Sequence, residues 1–359
     1  MTTLHLRGPV LVGPEEVVAQ AWVVDGRLTF EQPAGDTTPV DGWVVPGMVD
    51  AHCHVGLDAH GAVDDATSER QALADRDAGA LLLRDAGSPA DTRWVDDRDD
   101  LPVLVRAGRH IARTKRYIRN FADEVEPADL AETVRRQAAR GDGWVKLVGD
   151  WIERDSGDLR PCWPADALKA GIDAAHEHGA RVTAHVFGAA ALPDLLAAGI
   201  DCIEHGTGLS TDLIDDMTAR GVALVPTVKQ LDNFPNYAAA GEARFPAYAR
   251  HMRELHARRK QTIGAAYDAG VPIFAGTDAG GVLPHGLIAD EVLELSAYGM
   301  SAFDALGAAS WNARTWLGRP NWLDEGAPAD FVVYDADPLE DLSVLAHPAR
   351  IVLRGRVIS

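Results

Sequence analysis

The stretch Trp43-Val44-Val45-Pro46-Gly47-Met48-Val49-Asp50-Ala51-His52-Cys53-His54 leads a β-rich run into two histidines spaced i, i+2. In an extended strand alternate side chains share a face, so both imidazoles reach one point while Cys53 faces away. Taken alone, the pair reads either as two ligands of one metal or as two unrelated histidines. The chain carries its own control. His176-Glu177-His178 repeats the spacing inside an amphipathic stretch, where i and i+2 lie about 200° apart around a helix. That second pair reads as surface decoration.

Outward from residues 43–54, further short apolar runs rich in β-branched residues recur at 80–85, 102–107, 144–148, 181–186, 201–205, 222–226 and 271–275. Helix-like stretches at 130–140, 165–178, 211–220 and 250–269 fall between them, and Arg220-Gly221 and Ala269-Gly270 carry the glycine that ends a helix. Eight strands alternating with helices predict parallel βα units, hence an α/β fold built as a (β/α)8 TIM barrel over residues 46–321. An open doubly wound sheet would need a Gly-rich phosphate loop after the first strand, and none is there. The two ends differ from this pattern: residues 4–45 and 329–358 are short-stranded and turn-rich, with a hairpin signal at Asp25-Gly26. Neither end can form a core alone. They are therefore expected to pair as a small composite β-sandwich, residues 1–45 plus 322–359, beside the barrel.

The composition narrows the function. With 359 residues, 47% hydrophobic and 25% charged, the chain is an ordinary globular protein with ample core. Lys plus Arg number 34 against 54 Asp plus Glu, a formal charge of −20, which repels nucleic acid and anionic lipid. No apolar run approaches the roughly 20 residues of a bilayer span, and the N-terminus lacks a signal-peptide pattern. Three cysteines, Cys53, Cys162 and Cys202, occur without CxxC spacing, which fits a reducing compartment and argues against a thiolate zinc site. The expectation is a cytoplasmic protein acting on a small molecule, with no nucleic-acid or membrane partner and a prior toward a symmetric homo-oligomer.

Three more predicted strand ends carry polar groups: His185 after Val182-Thr183-Ala184, His205 after Cys202-Ile203-Glu204, and Asp278 after Ala275-Gly276-Thr277. In a barrel these ends gather on one face, where they meet His52 and His54. Four histidines and an aspartate suit a borderline divalent ion such as Zn²⁺. Lys146, inside Trp144-Val145-Lys146-Leu147-Val148, is expensive to bury as an ammonium. Burial favours its neutral amine, which can capture CO₂ to become an anionic carbamate (N6-carboxylysine). Beside two divalent ions a carbamate nearly balances the charge, whereas an ammonium adds to the repulsion. The alternative is a lysine whose head snorkels to water.

Pro46-Gly47-Met48-Val49-Asp50-Ala51-His52-Cys53-His54 resembles the opening motif of the amidohydrolase superfamily of metal-dependent hydrolases. The likeness continues through Leu83-Arg84-Asp85-Ala86-Gly87, Trp144-Val145-Lys146-Leu147, Thr183-Ala184-His185, Ile203-Glu204-His205-Gly206-Thr207 and Gly276-Thr277-Asp278-Ala279-Gly280. It runs on through Ala305-Leu306-Gly307-Ala308-Ala309-Ser310-Trp311-Asn312-Ala313 and Gly326-Ala327-Pro328-Ala329-Asp330-Phe331-Val332-Val333. Within the superfamily the lysine and the Glu204-His205-Gly206-Thr207 run are similar to the prolidase-like dipeptidases and their imidazolonepropionase-like relatives. The resemblance implies a two-metal centre in which His52, His54 and Asp278 hold the more buried ion and His185 and His205 the more exposed one. Carboxylated Lys146 would bridge the two.

The activity so implied is hydrolysis of an amide, dipeptide-like or N-acyl amino acid in type, by a metal-bridging hydroxide with Asp278 as proton shuttle. The same centre acting on a cyclic amide, carbamate, ester, lactone or phosphoester is the second reading. A non-catalytic assembly barrel is the third, and the six filled ligand positions argue against it. Dipeptidases of the group carry a Gly-Gly-His turn after the third strand, for which Ala112-Arg113-Thr114-Lys115-Arg116-Tyr117 stands in this reading. Arg113, Lys115, Arg116 and Tyr117 then read either as a grip on a substrate carboxylate or as a solvated charge run. His285, in Leu283-Pro284-His285-Gly286, reads as a substrate contact because family members often have a His-Gly there. Trp144, Trp151 and Trp163 read equally as pocket wall or core.

Overall fold

The computed structural model describes residues 3–14 and 16–358. Residues 1, 2, 15 and 359, which the sequence reading assigns to the composite terminal unit, lie outside the described residues.

Residues 43–54 form two strands rather than one, Trp43–Pro46 and Met48–Cys53. The first pairs antiparallel with Phe331–Tyr334, the second parallel with Ala80–Asp85. Gly47 is the joint. A Cβ there would stand 2.5 Å from Leu81 Cδ1, so a side chain would push into the core at the point where the chain changes sheets.

Apart from the edge strand Asp123–Val125, the parallel strands are largely apolar and buried, as sheets covered on both faces require. One set comprises Val103–Arg106, Ala80–Asp85 and Met48–Cys53. The other runs Asp123–Val125, Ile111–Arg113, Trp144–Val148, Arg181–Val186, Cys202–His205 and Ala223–Val225. Residues 271–275, predicted as a strand, form no regular ladder. Instead residues 272–278 bridge the two sets. Leu224 N donates to Pro272 O (2.8 Å) and Phe274 N to Leu224 O (3.0 Å) on one side; Ala51 N donates to Ala275 O (2.8 Å) and Asp278 N to His52 O (2.7 Å) on the other. Pro272 has no N–H to give, and Asp278 takes a left-handed backbone (φ 58°) that ends the extended run.

Helices Leu130–Arg140 and Thr211–Arg220 match the sequence reading, the latter closed by Gly221 at φ 68°. The helix expected at 250–269 begins earlier and spans Pro246–Asp268, because proline in the first turn gives up an N–H that has no intrahelical partner anyway. Two features were not anticipated. A hairpin of Asp150–Glu153 with Asp158–Pro161 follows Trp144–Val148. Helices Val228–Leu231 and Phe234–Gly241 follow Ala223–Val225.

Both chain ends enter one eight-stranded sheet. Its order is Arg356–Val357, Arg350–Leu353, Phe331–Tyr334, Trp43–Pro46, Leu4–Leu11, Val17–Val24 and Arg27–Thr29, with Thr38–Asp41 also pairing along Leu4–Leu11. The expected hairpin is present: Asp25 and Gly26, at φ 50° and 79°, connect Val17–Val24 to Arg27–Thr29 with the twist that such turns favour. Leu6, Val10, Val23, Leu28, Val44, Phe331 and Val352 form a core cluster of their own under this sheet. Among the described residues no helix is long and apolar enough to cross a membrane.

Candidate metal centre

Three ligand-type atoms converge where Met48–Cys53 ends. His52 Nε2 and His54 Nε2 are 3.2 Å apart, and Asp278 Oδ1 lies 3.1 Å from the first and 3.0 Å from the second. The far side of each ring decides what these nitrogens carry. His54 Nδ1 faces the carbonyl of Gly87 at 2.7 Å, which only accepts, so Nδ1 holds the proton. His52 Nδ1 faces Glu204 Oε2 at 2.8 Å. Glu204 is kept ionised far below the usual carboxylate range: burial opposes this, but Arg84, His52 and Lys146 outweigh it. In their neutral forms both Nε2 atoms therefore point a lone pair at the Asp278 carboxylate and at each other. Three electron-pair donors meeting in a buried place call for positive charge. His52 responds to the same demand: burial and Lys146 push its pKa down, yet Glu204 and Asp278 leave it raised. Asp278 is held well below its ordinary range against the cost of burial, chiefly by His52.

A second pair stands beside the first. His205 Nε2 lies 2.9 Å from His185 Nδ1, and the His205 and His52 rings are 5.5 Å apart. His205 Nδ1 is tied to Thr227 Oγ1 at 2.7 Å. Burial lowers the pKa of His205 to about 3 and that of His185 well below normal, so both rings are neutral and in the form that ligates metals. His185 Nε2 and Lys146 Nζ are buried with no hydrogen-bond partner. Glu204 Oε1, 4.0 Å away, is the one carboxylate oxygen within ion-pair range of Lys146 among the described residues, and burial lowers the amine's pKa. Snorkelling is excluded for Lys146, which is 1% exposed.

The backbone is bent to make this possible. His205, Thr227 and Asp278 all have positive φ (68°, 49° and 58°), a conformation costing a non-glycine residue about 1–3 kcal/mol. Such strain collected at three strand ends is typical of a functional site. Converging lone pairs and neutral histidines are a donor set that fits divalent cations.

A cavity of about 560 Å³ opens onto the centre, bounded there by His54, His185 and Asp278. Of the expected substrate contacts, Tyr117 lines it, its ring 5.7 Å from that of His185. The others point elsewhere. Arg113 reaches the carbonyl of Cys162. Arg116 is buried, its Nη2 2.9 Å from the carbonyls of Trp151 and Arg160, and so pins the 150–161 hairpin. His285 is bound to Asp75 Oδ2 through Nδ1 at 2.7 Å, outside the cavity lining. Among the tryptophans, Trp151 is pocket wall; Trp144 packs in the core beneath Arg84, and Trp163 donates to Val148 O. The helical pair His176 and His178 stays at the surface, His176 bound to Asp201.

Sequence reasoning overlooked three groups here. Gln230 donates to Asp278 Oδ2 at 3.0 Å and accepts from Tyr237 Oη at 3.1 Å. Glu204, quoted only within a motif, orients His52. His110 is buried with its ring 4.9 Å from that of His54. Its signal was available: the third strand ends at Arg106, so the turn after it is Ala107-Gly108-Arg109-His110. The 112–117 segment named for that turn begins within the next strand, Ile111–Arg113.

The Amidohydrolase family model matches residues 108–358. An uncharacterized protein of Mycobacterium tuberculosis is 58% identical over 355 residues, 98% of this chain and 95% of that one. Ochratoxinase of Aspergillus niger is 28% identical over 237 residues, 64% of this chain and 48% of that one. A Xaa-Pro dipeptidase solved with methionine in its active site shares the fold, with a TM-score of 0.85 at 21% identity over the whole of both chains.

Proposed function

The chain belongs to the amidohydrolase family, and from that premise we propose that it is a binuclear metal-dependent hydrolase cleaving an amide bond, dipeptide-like or N-acyl amino acid in type. The observation that carries the reading is the meeting of His52 Nε2, His54 Nε2 and Asp278 Oδ1 within 3.0–3.2 Å of one another. In this reading those three would hold one cation and His185 and His205 another, and Lys146, as its carbamate, would supply a further anionic ligand. Zn²⁺ suits the donor set. When bound, the pair of cations supplies a water ionised near neutral pH and polarises the scissile carbonyl.

The chain's own residues do the rest. Asp278 turns Oδ1 toward the histidines, while Oδ2 is held by Gln230 Nε2. Oδ2 is thus the atom placed to accept the proton released in the attack and to pass it to the leaving nitrogen, base first and acid second. Glu204 and Gly87 O fix the tautomers of His52 and His54, and Thr227 steadies His205. Tyr117, Trp151 and Phe187 exclude water from the centre. We read the two sets of parallel strands, bridged by 272–278, as a closed (β/α)8 barrel over 46–321. The sheet of both termini, residues 1–45 and 322–359, is read as one side of a composite β-sandwich. A dipeptidase among chains of the same fold supports an amide as the bond.

The test is kcat/KM of the Zn²⁺-loaded enzyme across L-dipeptides, N-acyl amino acids, cyclic amides, carbamates, aryl esters and lactones. Preferred turnover of the first two classes is expected. Preferred turnover of esters, carbamates or rings keeps the centre and overturns the bond assignment; turnover of none overturns the hydrolase.

A further inference from the structure

A second cavity, of about 140 Å³, lies at the starts of the parallel strands, the opposite ends from His52 and His54. Leu81, Leu82 and Val103 line it from the first residues of Ala80–Asp85 and Val103–Arg106, and Trp322 and Leu323 add further apolar surface. The Trp322 ring is fixed against Trp311, their centres 4.9 Å apart and their planes within 18°. Set into this apolar lining is Arg314, from the short helix Trp311–Trp316. Its Nε donates to Gly47 O at 2.8 Å, while Nη2 is buried without a partner. Arg84, Arg106, Arg116 and Arg314 are the buried arginines among the described residues. Arg84 is answered by Glu204, Arg106 by Asp96 and Asp142, and Arg116 by Glu153 at 3.8 Å. For Arg314, 7% exposed, no carboxylate among the described residues lies within ion-pair range. Burial pulls its pKa down; Asp330 offsets only part of this, and Arg319 adds to it. Asp330 is itself engaged, its Oδ1 accepting from Arg354 N at 2.6 Å.

We propose that this cavity is a binding site for a small organic monocarboxylate, its anion held by Arg314 and its apolar body packed between Leu82 and Trp322. The inference is independent of the hydrolase reading, since the two sites occupy opposite ends of the strands. A guanidinium shut away from water is costly unless an anion pairs with it, and its fork matches a carboxylate. Charge sets the valence. Arg314 and Arg319 bring two positive charges to the lining and Asp330 one negative charge, so one monoanion balances the site and a dianion overshoots. Size sets the body: a cavity near 150 Å³ takes a benzene ring, which puts benzoate at the upper limit. The apolar lining argues against an inorganic oxyanion, whose remaining oxygens would be stripped of water with no donor to replace it. Position sets the consequence. Pro46, Pro328 and Asp330 belong to or flank the strands of the eight-stranded sheet, and Leu82 and Val103 belong to the parallel strands. A bound acid therefore ties the two together beside Gly47, and it stabilises the folded chain by mass action.

The test is calorimetric titration and thermal melting of the metal-loaded full chain with benzoate, its neutral isostere benzamide, and inorganic phosphate. Benzoate is expected to bind about tenfold or more tightly than benzamide, the scale of a hydrogen bond to a charged group, and to raise Tm; phosphate is expected to do neither. Arg314→Met, which puts an apolar chain in place of the guanidinium, should lose both the binding and the Tm shift. Arg319→Gln should weaken binding, and Arg250→Gln, which removes a charge from an exposed helix face elsewhere, should leave it intact. Val103→Phe narrows the cavity with Arg314 in place and should also lose benzoate, so the proposal stays testable if Arg314→Met fails to fold. Benzoate bound no more tightly than benzamide, or not at all, overturns the inference. Benzoate bound equally well by Arg314→Met lies at the metal centre or at an adventitious surface site, and overturns it too. Phosphate bound as tightly as benzoate overturns the organic acid as the ligand. None of these outcomes depends on whether an amide is hydrolysed.

Discussion

Glu204 Oε2 sits 2.8 Å from His52 Nδ1 while its other oxygen lies 2.6 Å from Arg84 Nη2, all three side chains being essentially inaccessible to water. One carboxylate thus orients His52, a candidate metal ligand, and neutralises a buried guanidinium. Glu204→Gln removes the charge from both. Metal affinity is expected to fall about 10–100-fold, the usual loss when a ligand's orienting partner goes. Leaving Arg84 buried without its counter-ion is expected to cost about 3–5 kcal/mol. Chelator competition and a urea melt measure the two; wild-type metal affinity would sink the orienting role.

Asp278→Asn keeps the size but has a single acceptor oxygen to share between Gln230 and the histidines, and it cannot take a proton. The folded structure is expected to survive while kcat drops by about 10²–10⁴, the contribution of a positioned acid–base group. Circular dichroism and steady-state rates check this together. A variant turning over near the wild-type rate would show that the proton travels by another route.

Lys146 has a buried, unpartnered amine whose pKa burial lowers, so it is poised to react with CO₂. Metal uptake by the metal-free protein is expected to be faster and fuller with bicarbonate than in CO₂-depleted buffer, and Lys146→Ala to lose that dependence and bind less metal. Metal analysis gives the stoichiometry, and a carbamate carbon signal from ¹³C-bicarbonate identifies the adduct. Bicarbonate-independent loading of two ions would remove the carbamate from the site.

Glu291, wholly buried, accepts from Val228 N and Lys229 N and so fixes the start of the helix that presents Gln230. Burial dominates those two bonds and raises its pKa to about 8 from 4.5. A carboxyl whose pKa rises on folding binds more protons in the folded state. Its stabilising contribution is therefore full below about pH 4.5 and lost as pH rises toward 8. Thermal melts of the wild type and Glu291→Gln across this interval should show the wild type losing ground to the variant as pH increases. Parallel curves would mean that Glu291 does not titrate there.

The legible parts of this molecule are those whose local chemistry agrees with their surroundings. Ala80–Asp85, Trp144–Val148 and Arg181–Val186 were readable to the residue because a strand covered on both faces is dominated by apolar residues, even with Arg84, Lys146 and His185 among them. Residues 271–275 had the same composition, yet Pro272 cannot complete a ladder and the chain there serves the turn that aims Asp278. The metal-ligand candidates stood out because polar groups at the ends of apolar runs have no packing reason to be there. Arg113 and Arg116 were left with two readings for the opposite reason: a charge run shows neither which face each guanidinium takes nor which carbonyls await it. Gln230 lies in the short helix Val228–Leu231, a segment whose place over the cavity depends on contacts far along the chain.

Trp43–Pro46 finds its antiparallel partner only in Phe331–Tyr334, and Gly47 joins it directly to the strand bearing His52. During synthesis the early strand must therefore wait until the chain has been made through residue 334, where its antiparallel neighbour ends. Pairings between such distant segments form late and slowly, and an unpaired apolar edge attracts other chains meanwhile. Shortening the chain from its C-terminus, even well away from any metal-ligand residue, should show up first as a failure of nascent chains to mature.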